Sequence, residues 1–354
     1  MSPTSAPELM RQPTRTAILE MIQDRGPISR VDLARLLSLN PATVTRITRL
    51  LLEEDLICET GDGTSSSAGR KPILLSFNHR ARLLAALYAG SAGVSGVIAD
   101  TSGTVLTRRT LLPEPGLPLH SLSALLNDLL AADPSYQRRL ATLCLCAGPP
   151  TPVPPALADS LHDALHIPVL AGDEIELAAL GEATWGAARE RAHFALLWLG
   201  PTSGACIYLN GMMRSGNLGF DSTGQPLTAR LSDAGLVSAA SALLDTDPAS
   251  ALHELTRYRR LSARMIFEAA QQHDLLAEQV IGAAARDLAQ MIAWLGDVLS
   301  LDLIVLGGAW TPAAPLLIAA METRPDSGPR VIAAELGDDA PLFGAIQRAL
   351  AESG

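Results

Sequence analysis

Ala42, Thr45, Arg46 and Arg49 recur at a spacing that puts them on one side of a helical segment. Val44, Ile47 and Leu51 fall on the opposite, apolar side. A small residue, a hydroxyl and two guanidiniums make a surface that enters the major groove of DNA. Its leading end is slim, and its donors are long enough to reach base edges or phosphates. Thr43 adds a second hydroxyl for a phosphate or a base. A solvated polar face on an ordinary three-helix domain has the same composition, so the surrounding elements must decide between the two. Other candidate constellations are weaker. Cys144 and Cys146 alternate onto one face of a strand and, with no second ligand pair, read as packing rather than a zinc site. His162 and His166 stand four apart on one helix, but Leu157, Leu161 and Leu165 form its packing stripe and no third ligand lies nearby. No nucleophile elbow, zincin or Walker pattern occurs.

The elements that would carry the arginine face are legible around it. Thr14 to Arg25 reads as one amphipathic helix through Ala17, Ile18, Met21 and Ile22, closed by Gly26-Pro27. Ser29 with Asp32 resembles a capping box, Ile28 can staple onto the new helix, and that helix runs to about Leu37. Asn40-Pro41 is an N-cap followed by a first-turn proline, opening a third helix to about Glu54. Leu56 to Glu59 and Ile73 to Phe77 are strand candidates around a Gly/Ser-rich loop ending Gly69-Arg70-Lys71-Pro72. That is a wing whose basic tip, with Arg70 and the chain's only lysine, Lys71, can lie along phosphates or in the minor groove. The reading is a winged helix-turn-helix over residues 14–80, after a loose tail at 1–13 and before a body at 81–354.

Charge divides along the same line. The net charge of −10 resolves into +2 for residues 1–82 (11 Lys+Arg, 9 Asp+Glu) and −12 for 83–354 (16 and 28). Such asymmetry suggests a nucleic-acid-facing end on a body with another task. With 48% apolar and 18% charged residues, disorder is excluded for most of the length. Four scattered cysteines and no apolar leader fit a reducing, cytoplasmic setting. Leu303 to Met321 is uncharged, but Gly307, Gly308, Pro312 and Pro315 break it into strand, turn and helix start rather than a membrane span.

The body reads as an α/β fold. A β-meander spans Leu84 to Thr110, a helix Leu122 to Ala131, a strand Leu140 to Ala147 and a helix Ala156 to His166. Then come a short strand at Val169-Leu170, a helix from Glu176 to Arg189 and a hairpin of Ala195–Leu199 with Ala205–Leu209. Helices fill 233–300, Leu303 to Leu306 forms a strand, and a last helix lies near 342–352. Ser29-Arg30-Val31-Asp32-Leu33-Ala34, Ala42 to Ile47, Asp55-Leu56-Ile57 and the wing resemble the ROK family (repressors, open reading frames and kinases). The likeness is to its transcription-regulator branch of xylose-repressor and N-acetylglucosamine-repressor type. Ile175 to Arg189, Asn210-Gly211 with Arg214-Ser215-Gly216, Ile304 to Gly308, Leu336-Gly337-Asp338 and Phe343-Gly344-Ala345 extend the resemblance over nearly the whole chain.

The resemblance implies a two-lobed, actin-like/hexokinase-like (ribonuclease H-like) body. It also draws attention to what has changed. The family kinases' first phosphate loop, Asp-Gly-x-Thr, is Leu87-Tyr88-Ala89-Gly90-Ser91 here, without the acid. The second phosphate turn is Gly200-Pro201-Thr202-Ser203-Gly204, where proline removes a backbone donor. The family's Asn-Asp-x-Asn, whose Asp is the general base, matches Asp173-Glu174-Ile175-Glu176. After Gly216 the His and Cys ligands of the family's zinc segment are missing, so neither metal nor cofactor is expected. Asp173, Glu174, Glu176 and Asp221 would form a remodelled effector cleft for a cationic or hydroxyl-rich ligand, or an empty pseudo-site. An acidic helix start favoured by the dipole accounts for them equally well. The resemblance implies a DNA-binding regulator, a homodimeric or tetrameric repressor and not an enzyme. The alternatives are a ROK-type sugar kinase with atypical loops and a ligand-blind DNA-binding protein.

Overall fold

Ser29 and Asn40 start two helices of the amino-terminal unit. The computed structural model describes residues 11–62, 72–90, 93–111, 118–148, 152–216, 227–245, 247–321 and 328–353. Its first elements are α1 (Arg11–Arg25), β1 (Ile28–Ser29), α2 (Arg30–Leu36), α3 (Pro41–Glu53), β2 (Ile57–Asp62) and β3 (Ile73–Phe77). The Ser29 hydroxyl accepts from the Asp32 amide at 3.1 Å, and Asn40 Oδ1 accepts from the Ala42 amide at 2.8 Å. Each bond satisfies a donor that the helix start leaves without a partner. Ile18, Ile22, Leu33, Val44, Ile47, Leu51, Ile57 and Leu75 close one core beneath the three helices. The first helix begins at Arg11 rather than Thr14, reaching into the segment expected to be a loose tail. Ile28 does not simply staple a helix: Ile28 pairs with Leu75 and Ser29 with Leu74, so the sheet order is β1-β3-β2. A two-residue strand has no alternation by which to announce itself.

The chain divides into two compact units, Met1–Leu83 with Asp100–Ser102, and Leu84–Ala99 with Gly103–Gly354. The body carries one plan twice. Its first half runs β4 (Leu83–Gly90), β5 (Gly93–Asp100), β6 (Val105–Leu111), α4 (Pro118–Ala131), α5 (Tyr136–Arg139), β7 (Leu140–Ala147), α6 (Pro155–Leu165) and β8 (Val169–Asp173). The sheet order is β6-β5-β4-β7-β8. After α7 (Glu174–Thr184) the second half opens with β9 (His193–Trp198), β10 (Gly204–Leu209) and β11 (Met212–Gly216). Five helices follow: α8 (Leu227–Arg230), α9 (Asp233–Leu244), α10 (Ala251–Leu255), α11 (Ala263–Gln271) and α12 (Leu275–Leu299). The chain ends with β12 (Leu303–Gly307), α13 (Ala314–Ala320), β13 (Arg330–Ala333) and α14 (Ala340–Glu352). The second sheet is β11-β10-β9-β12-β13. Counted from the first strand of each half, both sheets follow the order third, second, first, fourth, fifth.

Two helices lie between the sheets. Leu177 of α7 and Leu342, Ile346 and Ala349 of α14 pack with Leu84, Val97, Cys144 and Cys146 of the first sheet. Ile175 and Ala178 of α7 pack with Phe194, Leu196, Trp198 and Val305 of the second. The opposite face of the second sheet is buried under the helices of 227–321. Helices α7 and α14 approach so closely that a Cβ on Gly344 would lie 1.7 Å from the Leu177 carbonyl oxygen, and one on Gly181 2.3 Å from that of Ala340. The helix expected over Glu176–Arg189 is instead Glu174–Thr184. The Asp173 carboxylate starts it early, accepting from the Ile175 and Glu176 amides at 3.0 and 3.1 Å. Glu182 helps end it, accepting from the Ala187 amide at 2.7 Å beyond the last turn. The uncharged stretch Leu303–Met321 divides into β12, a 3₁₀ turn at Thr311–Ala313 and α13, and among the described residues no helix is long and apolar enough to cross a membrane.

Candidate functional site

Helix α3 presents the expected face. Val44, Ile47 and Leu51 are buried, while Ala42, Thr45, Arg46 and Arg49 are exposed and Thr43 is half-buried. Four arginines of this unit are paired with neighbouring acids. Arg15 pairs with Glu54, Arg35 with Asp32 at 2.9 Å, Arg30 with Glu59 at 3.0 Å and Arg49 with Glu53 at 3.5 Å. Among the described residues no acid pairs with Arg46. Its guanidinium therefore stands on the outward face with its fork of donors uncommitted, the form in which arginine reads a guanine edge or grips a phosphate. Arg70 and Lys71, expected at the wing tip, lie outside the described residues, as does Asp221.

Thr48 was not singled out by its sequence position, yet it ties the face to its support. It is fully buried, and its hydroxyl donates to the Thr45 carbonyl at 3.2 Å while accepting from Arg30 Nε at 3.2 Å. The one polar residue on an otherwise apolar helix side was the available sign.

In the body the three described acids have separate tasks. Asp173 caps α7 through the two amides already described. Glu176 accepts from the Ser215 hydroxyl at 2.9 Å on the rim. Glu174 is buried at 4% exposure between the two halves of the body. The Tyr88 hydroxyl donates to its Oε1, and the Thr202 hydroxyl lies 3.5 Å from its Oε2. Gly148 leaves no spare room, since a Cβ there would come 2.0 Å from Glu174 Oε2. Burial pushes the Glu174 carboxyl above its ordinary range, and the Asp173 charge adds to the shift, while hydrogen bonds from Tyr88 and Thr202 pull back. Burial beside Glu174 likewise pushes the Tyr88 phenol up. The turn at 200–204 is also turned inward. The Gly200 amide donates to Ser203 Oγ at 3.3 Å, the Ser203 hydroxyl donates to the Leu231 carbonyl at 2.7 Å, and the Gly200 carbonyl accepts from the Asp233 amide at 2.9 Å. A phosphate-holding turn needs its amides free, and this one has given up one to Ser203 and lacks another at Pro201.

The remaining candidates are structural. Cys144 and Cys146 are buried free thiols, and burial pushes the Cys144 thiol up to about 12. His162 and His166 are exposed; His162 Nδ1 lies 2.7 Å from the Ile167 carbonyl and His166 ends α6 in a left-handed conformation. Among the described residues no group of three or more His, Cys, Asp or Glu could hold a metal.

A winged helix-turn-helix unit followed in sequence by an actin-like, hexokinase-like body defines a class of regulator built on a kinase fold. Residues 12–59 match the MarR family and residues 227–352 the ROK family. The DNA-binding transcriptional dual regulator NagC of Escherichia coli strain K12 is 28% identical over 347 residues, covering 89% of this chain and 85% of NagC. The crystal structure of a ROK family transcriptional regulator, a homolog of the E. coli MLC protein, superposes with a TM-score of 0.71 at 22% identity over 97% of both chains. A ROK family glucokinase from Streptomyces griseus, solved with glucose and AMPPNP, superposes at 0.61 and 20% identity, covering 75% of this chain and 99% of its own. The chain thus carries a ROK domain behind a MarR-type helix-turn-helix and is homologous to NagC and the xylose repressors.

Proposed function

We propose that this chain is a DNA-binding transcriptional repressor, cytoplasmic and not an enzyme, which reads its operator with α3 and grips phosphates with its wing. The observation that carries the reading is the uncommitted Arg46 on the exposed face of a capped, core-anchored helix. Arg46 and Arg49 would contact the groove, Thr43 and Thr45 phosphate or bases with Ala42 at the slim end, and Arg70 and Lys71 the backbone through the wing. A domain of only +2 holds DNA weakly by charge alone, which favours a homodimer or tetramer presenting two heads to two half-sites.

The body supports regulation over catalysis. Phosphoryl transfer requires positioned phosphates and an available base. Here the base position, Glu174, is held by Tyr88 and Thr202, and the turn at 200–204 bonds to its own surroundings. Of the two expectations for the cleft, these internal bonds favour a pseudo-site over an open effector pocket at Asp173, Glu174 and Glu176. Recovery of bound duplexes from fragmented genomic DNA tests the reading, with an ATP-consumption assay over a panel of hexoses as its counterpart. Enrichment of a common sequence without hexose-dependent ATP turnover is expected; hexose-dependent turnover with no enriched sequence would return the protein to the kinases.

A further inference from the structure

We propose that Arg30 is a positioning residue that fixes strand β2 relative to the reading helix; this rests on the DNA-reading function proposed above. Arg30 opens α2 directly behind the cap residue Ser29. Its guanidinium donates in two directions, through Nε to Thr48 Oγ1 at 3.2 Å and through Nη2 to Glu59 Oε1 at 3.0 Å. Thr48 is fully buried on α3, and its hydroxyl passes the link to the Thr45 carbonyl, one turn back on the outward-facing helix. Glu59 lies on β2 just before an irregularity between Glu59 and Gly61, where Gly61 takes a φ of +119°. One planar group therefore joins the start of α2, the recognition helix and the strand that leads towards the wing tip.

The position of Glu59 gives the link its consequence. A bulge bends a strand and increases its twist, so the strand beyond it takes its direction from whatever holds the residue before it. Half-exposed ion pairs contribute little to stability, and Glu59 is half-exposed. What this pair supplies is geometry. Groove and phosphate contacts reinforce each other only when both can be made at once, and holding them in register removes an ordering cost from binding. Lysine cannot replace Arg30 here, because a point charge on a flexible stem does not reproduce a fork aimed at two acceptors.

The test titrates wild type, Arg30→Lys, Arg30→Gln and Glu59→Gln against a genomically selected duplex and a scrambled one over a range of salt. Glu59→Gln is expected to weaken binding to the selected duplex about tenfold, although it removes a negative charge from a DNA-facing domain. Arg30→Lys should fall with Arg30→Gln, and all three should show a shallower salt slope. If Arg30 instead serves as a phosphate contact, Glu59→Gln leaves binding unchanged or stronger and Arg30→Lys keeps most of it, which overturns the proposal. If the wild type selects no duplex, the function proposed above fails, and amide hydrogen exchange judges the coupling separately. Faster exchange over 57–62 and 73–75 in Glu59→Gln, with 47–51 unchanged, supports it; unchanged exchange throughout overturns it.

Discussion

At the scale of residues, the same side-chain types serve opposite ends depending on their neighbours. Arg49 and Arg46 lie three apart on α3, but Arg49 has Glu53 at 3.5 Å and Arg46 has no described acid. Arg46→Ala is therefore expected to cost about 1–3 kcal/mol at its own base pair and to act unevenly across operator variants. Lys71→Ala should weaken all sequences alike and flatten the salt slope, and titrations on a set of single-base operator variants separate the two. Glu174 supplies a pH test. Its folded carboxyl holds a proton to higher pH than the unfolded one, so stability from this group is present at low pH and lost as pH rises through the raised value. Glu174→Gln keeps an acceptor for Tyr88 without the charge. Unfolding curves should find the variant gaining on the wild type as pH climbs above the ordinary carboxylate value of about 4.3. Reactivity of thiols is a third check. Cys144, Cys146 and Cys206 are buried and their thiols pushed up, while Cys58 is half-buried, so native labelling should modify Cys58 first and the other three only on unfolding.

At the scale of elements, what could be read in advance was whatever a local rule writes into adjacent residues. Ser29 and Asn40-Pro41 announce the starts of α2 and α3, whereas Asn210-Gly211, part of a family-like string in the sequence, forms the β10–β11 turn, where both residues take positive φ of 50° and 84°. The hairpin around Gly200–Gly204 and the alternation that buries Cys144 and Cys146 were legible for the same reason. Elements defined by distant partners were not. β1 exists because Leu74 and Leu75 pair with it, β13 because β12 lies beside it, and the Tyr88–Glu174 bond joins residues 86 positions apart. Gly181 and Gly344 stand in family-like strings of the sequence, and their cause is the contact of α7 with α14. Gly344→Ala should therefore lower the body's thermal transition sharply, because backbone, not a movable side chain, stands in its way. Gly282→Ala, in α12 with nothing within 4 Å of the added methyl, should raise it through about 0.5–1 kcal/mol of added stability from helix propensity. Calorimetry on the two variants gives opposite signs if the packing is as described.

At the scale of the whole molecule, the body shares its fold with a kinase while Glu174 and the turn at 200–204 bond to their own surroundings. The two sheets follow one duplicated plan and the body superposes on a glucokinase, with Glu174 bonded to Tyr88 and the Gly200 amide bonded to Ser203. Charge follows the same division, +2 on residues 1–82 and −12 on 83–354, and on the function proposed above DNA contact falls to the amino-terminal unit. On the function proposed above, the exposed face of α3 reads sequence. Sequence reading is tested most directly by fluorescence anisotropy with a genomically selected duplex and its scrambled counterpart, between about 50 and 200 mM salt. The selected duplex should bind at least about 10³-fold more tightly, and both affinities should fall steeply with salt. Equal affinity for the two duplexes, or binding indifferent to salt, would contradict the claim.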